Sequence, residues 1–170
     1  LINRLREDYF EDLLMPYEGQ DGLGACKWVE ANYGNGKTQF LRCIQEVAWD
    51  LNYVTAYVEL SQDECPLDRS DRIYGAVARS VQAKPLQASD VDVTRGIDVA
   101  LEQLLDRMFP QILSGFPDDQ LKAQALNWIR TTLAYTPTES TGFRDAVVQH
   151  LISKVQGDSD KAKTTATYLR

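Results

Sequence analysis

Cysteine and histidine are scarce in this chain, with three and one in 170 residues. Cys26, Cys43 and Cys65 are widely spaced without a C-x-x-C pair, and His150 is the single imidazole, so neither a zinc site nor a disulfide framework is expected. A reducing cytoplasm is the simplest setting for such a chain. Positive charge is short as well: 18 Lys and Arg against 25 Asp and Glu leave a net charge of -7 and a pI near 4.7. That balance argues against a broad basic face for a nucleic-acid backbone, and any DNA contact is expected to lie elsewhere. No apolar run approaches the roughly 20 residues that span a membrane, and no signal-peptide pattern opens the sequence. Leu1 is not an initiator Met and Thr167 to Arg170 carry no turn or cap signal, so the chain is expected to be part of a longer polypeptide.

The hydrophobic content of 44% is enough for a sizeable core in a single domain. Its most informative stretch is Ala31-Asn32-Tyr33-Gly34-Asn35-Gly36-Lys37-Thr38. This approximates G-x-x-x-x-G-K-[ST], in which backbone N–H groups cradle phosphates, the Lys reaches the β/γ-phosphates and the hydroxyl ligates Mg²⁺. Ala31 replaces the first glycine, and so loose a match arises by chance in on the order of one chain in a hundred of this length. Context strengthens it. Cys26 to Glu30 reads as a short strand after the turn-like run Gly19 to Gly24, and Phe40, Leu41, Ile44, Val47, Ala48 and Leu51 fall at helical spacing behind the motif. A helix starting at Lys37 would present its positive dipole end to the phosphates.

Asn52 offers a helix stop, and Tyr53 to Leu60 is rich in aromatic and β-branched residues, reading as a second strand. Strand, loop, helix and strand in that order predict a βαβ unit with a parallel sheet. After an acidic loop containing Asp63, Glu64, Pro66 and Asp68, the pattern turns helical: Ile73 to Val81, Ile97 to Met108, Leu121 to Leu133 and Phe143 to Val155, the last stopped by Gly157. Ala83 to Asp92 reads as a polar connection. The expected fold is therefore α/β, a P-loop NTPase parallel-sheet core incomplete in this chain, with a largely helical second half. Residues 1–70 form the nucleotide-binding part and 71–170 a helical insertion or lid of the same domain. A further apolar strand ending in Asp or Asp-Glu, which carries the Mg²⁺-linked carboxylate in P-loop ATPases, has no counterpart in the sequence. It is expected beyond Arg170.

Glu30 to Arg42 with Y-G-N-G-K-T-Q-F-L-R inside it, then A-Y-V-E-L-S and E-C-P-L-D, resembles the ATP-binding P-loop proteins of bacteriophage exclusion (BREX) and related bacterial defence systems. Leu1 to Leu14 looks like the helix those proteins carry before their first strand. The match covers about the first half of the chain. The resemblance implies an AAA-like ATPase module in a multi-protein assembly directed against foreign DNA, with other defence proteins as partners and a homo-oligomer compatible with it. It implies ATP and Mg²⁺ as cofactors. By position, the phosphate-loop roles fall on Gly34, Asn35, Gly36, Lys37 and Thr38, with Lys37 and Thr38 catalytic and Thr38 on Mg²⁺; Tyr33, just before them, could contact the nucleotide base or a partner.

Each of these residues has a plainer reading. Lys37 could be an exposed lysine at a helix start, but a cation there is disfavoured unless an anion joins it. Thr38 could satisfy first-turn backbone, Gly34 and Gly36 could merely turn the chain, and Tyr33 could pack on its neighbours. Ala31 fits the loop's first position if its φ is negative. Glu59, near the end of the second strand, could activate water, although an exposed strand carboxylate is commoner. Asp63, Glu64 and Asp68 read as solvated turn residues, His150 as structural and Trp128 as core. Three functions compete: an ATPase module, a nucleotide-gated scaffold with little hydrolysis, and a small-molecule kinase. The kinase ranks last because Arg69, Arg72 and Arg79 form no evident substrate clamp.

Overall fold

The computed structural model describes residues 2–11, 26–62, 65–84, 95–113, 117–136, 138 and 140–170. The expected turn at Gly19 to Gly24, the acidic pair Asp63 and Glu64, and most of the connection after Ala83 lie outside them. The chain forms two units, Leu1–Thr55 and Ala56–Arg170.

In the first unit, helix α1 (Ile2–Leu5) runs on into a π-helical segment, Arg6–Glu11. The wider winding brings residues five apart together, and the Arg6 guanidinium donates to the Glu11 carboxylate at 2.8 Å. Helix α2 (Lys37–Asp50) starts at the lysine, where the periodicity placed it. It ends in a Schellman motif: Asn52 has φ 63°, its N–H donates to the Trp49 carbonyl, and the Tyr53 N–H donates to the Ala48 carbonyl at 2.9 Å. The stop places Tyr53 against the N-terminal segment. Its hydroxyl donates to the Phe10 carbonyl at 2.8 Å, and the two rings lie 5.4 Å apart.

The two expected strands are largely absent. Cys26 to Asn32 has no regular structure, and of Tyr53 to Leu60 only Thr55–Ala56 (β1) is extended and paired, with Val81–Gln82 (β2). No larger sheet occurs among the described residues, in place of the parallel core that the sequence predicts. The reason is physical. A strand is held by the ladder that pairs its N–H and C=O groups and by a surface for its side chains, and Cys26 to Glu30 has neither: Trp28 is 88% exposed.

The second unit is helical, as its periodicity predicts. Helix α3 (Ser70–Ser80) precedes β2, and α4 (Ile97–Met108), α5 (Asp119–Thr131) and α6 (Thr141–Gln156) correspond to the three later patterns. Asp118 caps α5 by accepting from the Leu121 N–H, and Ser140 caps α6 by accepting from the Phe143 N–H. Leu105, Ile129, Leu151 and Leu169 are buried at the centre with Val147 and Ala125. Each large aliphatic side chain so buried contributes about 1.5–3 kcal/mol. Trp128 packs against this core, edge-on to Phe109 at 5.9 Å. Gly157, at φ 76°, ends α6. A further helix, α7 (Ser159–Leu169), follows and was not legible as a pattern: its sequence is rich in Thr and Lys, and only Ala162 and Leu169 are buried. No helix among the described residues is long and apolar enough to cross a membrane.

Candidate functional site

The segment before α2 turns twice through conformations that L side chains disfavour. Gly34 has φ 83° and Gly36 φ 77°, while the Asn35 N–H between them closes a turn onto the Asn32 carbonyl at 3.2 Å. Both glycines face open space, since a Cβ at either would meet nothing within 4 Å. Ala31 is not among the residues with positive φ, so alanine sits at the loop's first position without strain. Lys37 folds back over the turn. Its ammonium donates to the Ala31 carbonyl at 2.5 Å and to the Asn32 carbonyl at 3.0 Å.

Helix α2 begins without a side-chain cap and without an acidic residue in its first turn. Its first amides and dipole therefore point at the loop with no side-chain cap and no first-turn carboxylate to answer them. The feature is an exposed, glycine-turned mouth on an uncapped helix N-terminus, with one ammonium held across it. Such a mouth suits an anion rich in oxygens. Asn35 and Thr38 are exposed in it, and Tyr33 is fully exposed rather than packed on its neighbours. Lys37 and Thr38 are consecutive at the helix start, which puts an ammonium and an exposed hydroxyl within its first turn.

The remaining candidates fall in the second unit. Glu59 is exposed and accepts a hydrogen bond from the Tyr57 hydroxyl at 3.3 Å. Asp68 is exposed, and Arg69 is engaged with Asp71 at 3.0 Å. His150 is fully buried at the meeting of α4, α6 and α7. Its Nε2 lies 3.2 Å from a Glu102 carboxylate oxygen, and its Nδ1 lies 3.2 Å from the Ala162 carbonyl and 3.1 Å from the Thr165 hydroxyl. Lys154 donates to the same Glu102 oxygen at 2.8 Å. Burial pushes the Glu102 carboxyl up, but hydrogen bonds from His150 and Lys154 and their charges outweigh it and hold the group below the usual glutamate value. Two contacts were beyond sequence reasoning. The carbonyls that hold Lys37 are backbone groups with no residue signature, and Glu102 lies far from His150 along the chain.

The loop and the helix it feeds present exposed backbone amides and an ammonium at a helix start. Residues 18–170 match the family described as BREX system ATP-binding protein BrxC/D, and the chain belongs to that family. No curated protein and no solved structure matches it significantly. An ATP-binding protein of a BREX system is thus what the family assigns, in agreement with the resemblance carried by Glu30 to Arg42.

Proposed function

We propose that Ala31 to Thr38 is the phosphate-binding loop of a P-loop ATPase module, acting with other proteins of an anti-phage assembly. The observation that carries this reading is the pair of positive-φ glycines set directly before an uncapped helix that opens with Lys37 and Thr38. In it, Gly34, Asn35 and Gly36 offer backbone to the phosphates, Lys37 neutralises β/γ charge and Thr38 holds Mg²⁺. Tyr33 flanks the nucleotide. The metal would supply further charge neutralisation on the same phosphates. Residues 1–70 form the nucleotide-binding part of an AAA-like domain, and residues 71–170 form its helical insertion or lid.

Calorimetric titration of Mg-ATP into the protein and its Lys37→Ala form tests the reading. Saturable binding lost in the variant is expected, and equal affinity in both would remove the loop from consideration.

A further inference from the structure

We propose that Tyr9 and Phe10 brace the base of the phosphate loop, and that Tyr9 is a positioning residue acting on nucleotide binding through Lys27; the inference rests on the loop reading above. The segment that enters the loop, Cys26 to Asn32, lacks what usually fixes such a leg. It has no regular structure, and Lys27, Trp28 and Val29 are exposed. A leg held by no ladder must be ordered when the ligand arrives, at a cost in affinity.

Two fastenings lower that cost. At the mouth, the Lys37 ammonium bridges the Ala31 and Asn32 carbonyls. At the base, the Lys27 ammonium stands over the Tyr9 ring, 4.2 Å from its centroid and inside the range of cation–π attraction. The next residue, Phe10, takes the other leg. Tyr53, just past the stop of α2, donates its hydroxyl to the Phe10 carbonyl at 2.8 Å and tilts its ring against that of Phe10 at 5.4 Å. The Arg6 guanidinium, bonded to Glu11, also lies in the field of Asp50, the last residue of α2. Two consecutive residues of the π-helical segment thus hold the start of the entry leg and the end of α2, which the chain separates by the whole loop. Helix α2 has 14 residues and is about 21 Å long, so whatever fixes its far end also fixes where its first amides point.

Two readouts test the brace: backbone order in the nucleotide-free protein, from amide NMR relaxation, and the calorimetric affinity for Mg-ATP. Tyr9→Leu is expected to lower the order of Cys26 to Asn32, to leave the helices of the second unit unchanged, and to weaken Mg-ATP binding about two- to fivefold. Tyr9→Phe should restore both readouts, because the ring face and not the hydroxyl holds the ammonium. Lys27→Met should reproduce the losses; Lys27 is exposed, so this variant keeps the fold and tests the contact should Tyr9→Leu impair folding. The double variant should be no worse than either single one. Unchanged order of Cys26 to Asn32 in both single variants overturns the brace, and reduced order with unchanged affinity overturns the positioning role. Additive losses in the double variant overturn action through Lys27. A parent protein that binds no Mg-ATP counts against the phosphate-loop reading instead, and the order of the entry leg then decides the brace by itself.

Discussion

The Lys37 ammonium sits 2.5 Å from the carbonyl oxygen of Ala31, six residues earlier, and 3.0 Å from that of Asn32. The lysine is thereby laid across the turn rather than into solvent, although a four-carbon stem carries substantial rotamer entropy. With two of its three donors on carbonyls, the ammonium keeps one for an anion.

Lys37→Ala should therefore separate binding from folding. The side chain is half-exposed, and its two carbonyl partners can be met by water, so the melting temperature is expected to stay within about 2 °C of the parent. Loss of a charge-assisted contact to phosphate costs about 3 kcal/mol, on the order of a hundredfold in affinity for Mg-ATP. Calorimetry and a thermal melt on the same preparation check both halves.

Gly36 sits at φ 77°, and two substitutions pull this conformational demand apart from the phosphate contact proposed for it. Asn tolerates the left-handed region, whereas Val does not, and the free protein offers room for either side chain. Gly36→Asn is expected to fold with a loss of at most about 1 kcal/mol, and Gly36→Val with a loss of about 2 kcal/mol. Both should lose Mg-ATP binding if the glycine also admits phosphate to the backbone. Normal binding by the Asn variant would reduce Gly36 to a conformational role.

The helices were legible because each carries its own signal. Periodicity marked α2, α4, α5 and α6, Asn52 and Gly157 marked two of their ends, and glycines before Lys37 marked the loop. The strands were misjudged because a strand's stability belongs to its neighbours: Trp28 and Val29 have strand character, and nothing among the described residues pairs with them. Helix α7 escaped notice because Thr and Lys dominate it. The setting of His150 was hidden for a different reason, since Glu102, Lys154 and Thr165 are brought to it by three helices and only Lys154 lies within one turn along the chain.

Asn52 gives a local test of the α2 stop. At φ 63° it occupies a conformation that costs a residue such as Ala about 1 kcal/mol and Gly nothing. Asn52→Ala is expected to lower stability by about 1 kcal/mol, while Asn52→Gly should be neutral or slightly stabilising. Urea midpoints for the three proteins order them, and an Ala variant as stable as the Gly variant would show that the Schellman turn is not held in solution.

Glu102 sets the expected response of the helical unit to acid. Its carboxyl is held below the usual glutamate value in the folded state, so the folded state binds fewer protons there than the unfolded chain. The stabilisation is fully present above the unfolded value, and it is lost as pH falls through the lower folded value, when the carboxylate facing His150 and Lys154 becomes neutral. Glu102→Gln removes the charge and keeps the size, and at pH 7 it is expected to cost about 1–3 kcal/mol, leaving Lys154 and His150 with a weaker acceptor. The difference between parent and variant should shrink as pH is lowered through the carboxylate range and vanish below it, because there the parent is itself neutral at this position. Urea unfolding of both proteins from pH 7 to about pH 3 reads this difference directly. A gap that stays constant across the range would mean that Glu102 acts through shape and neutral hydrogen bonding rather than through its charge.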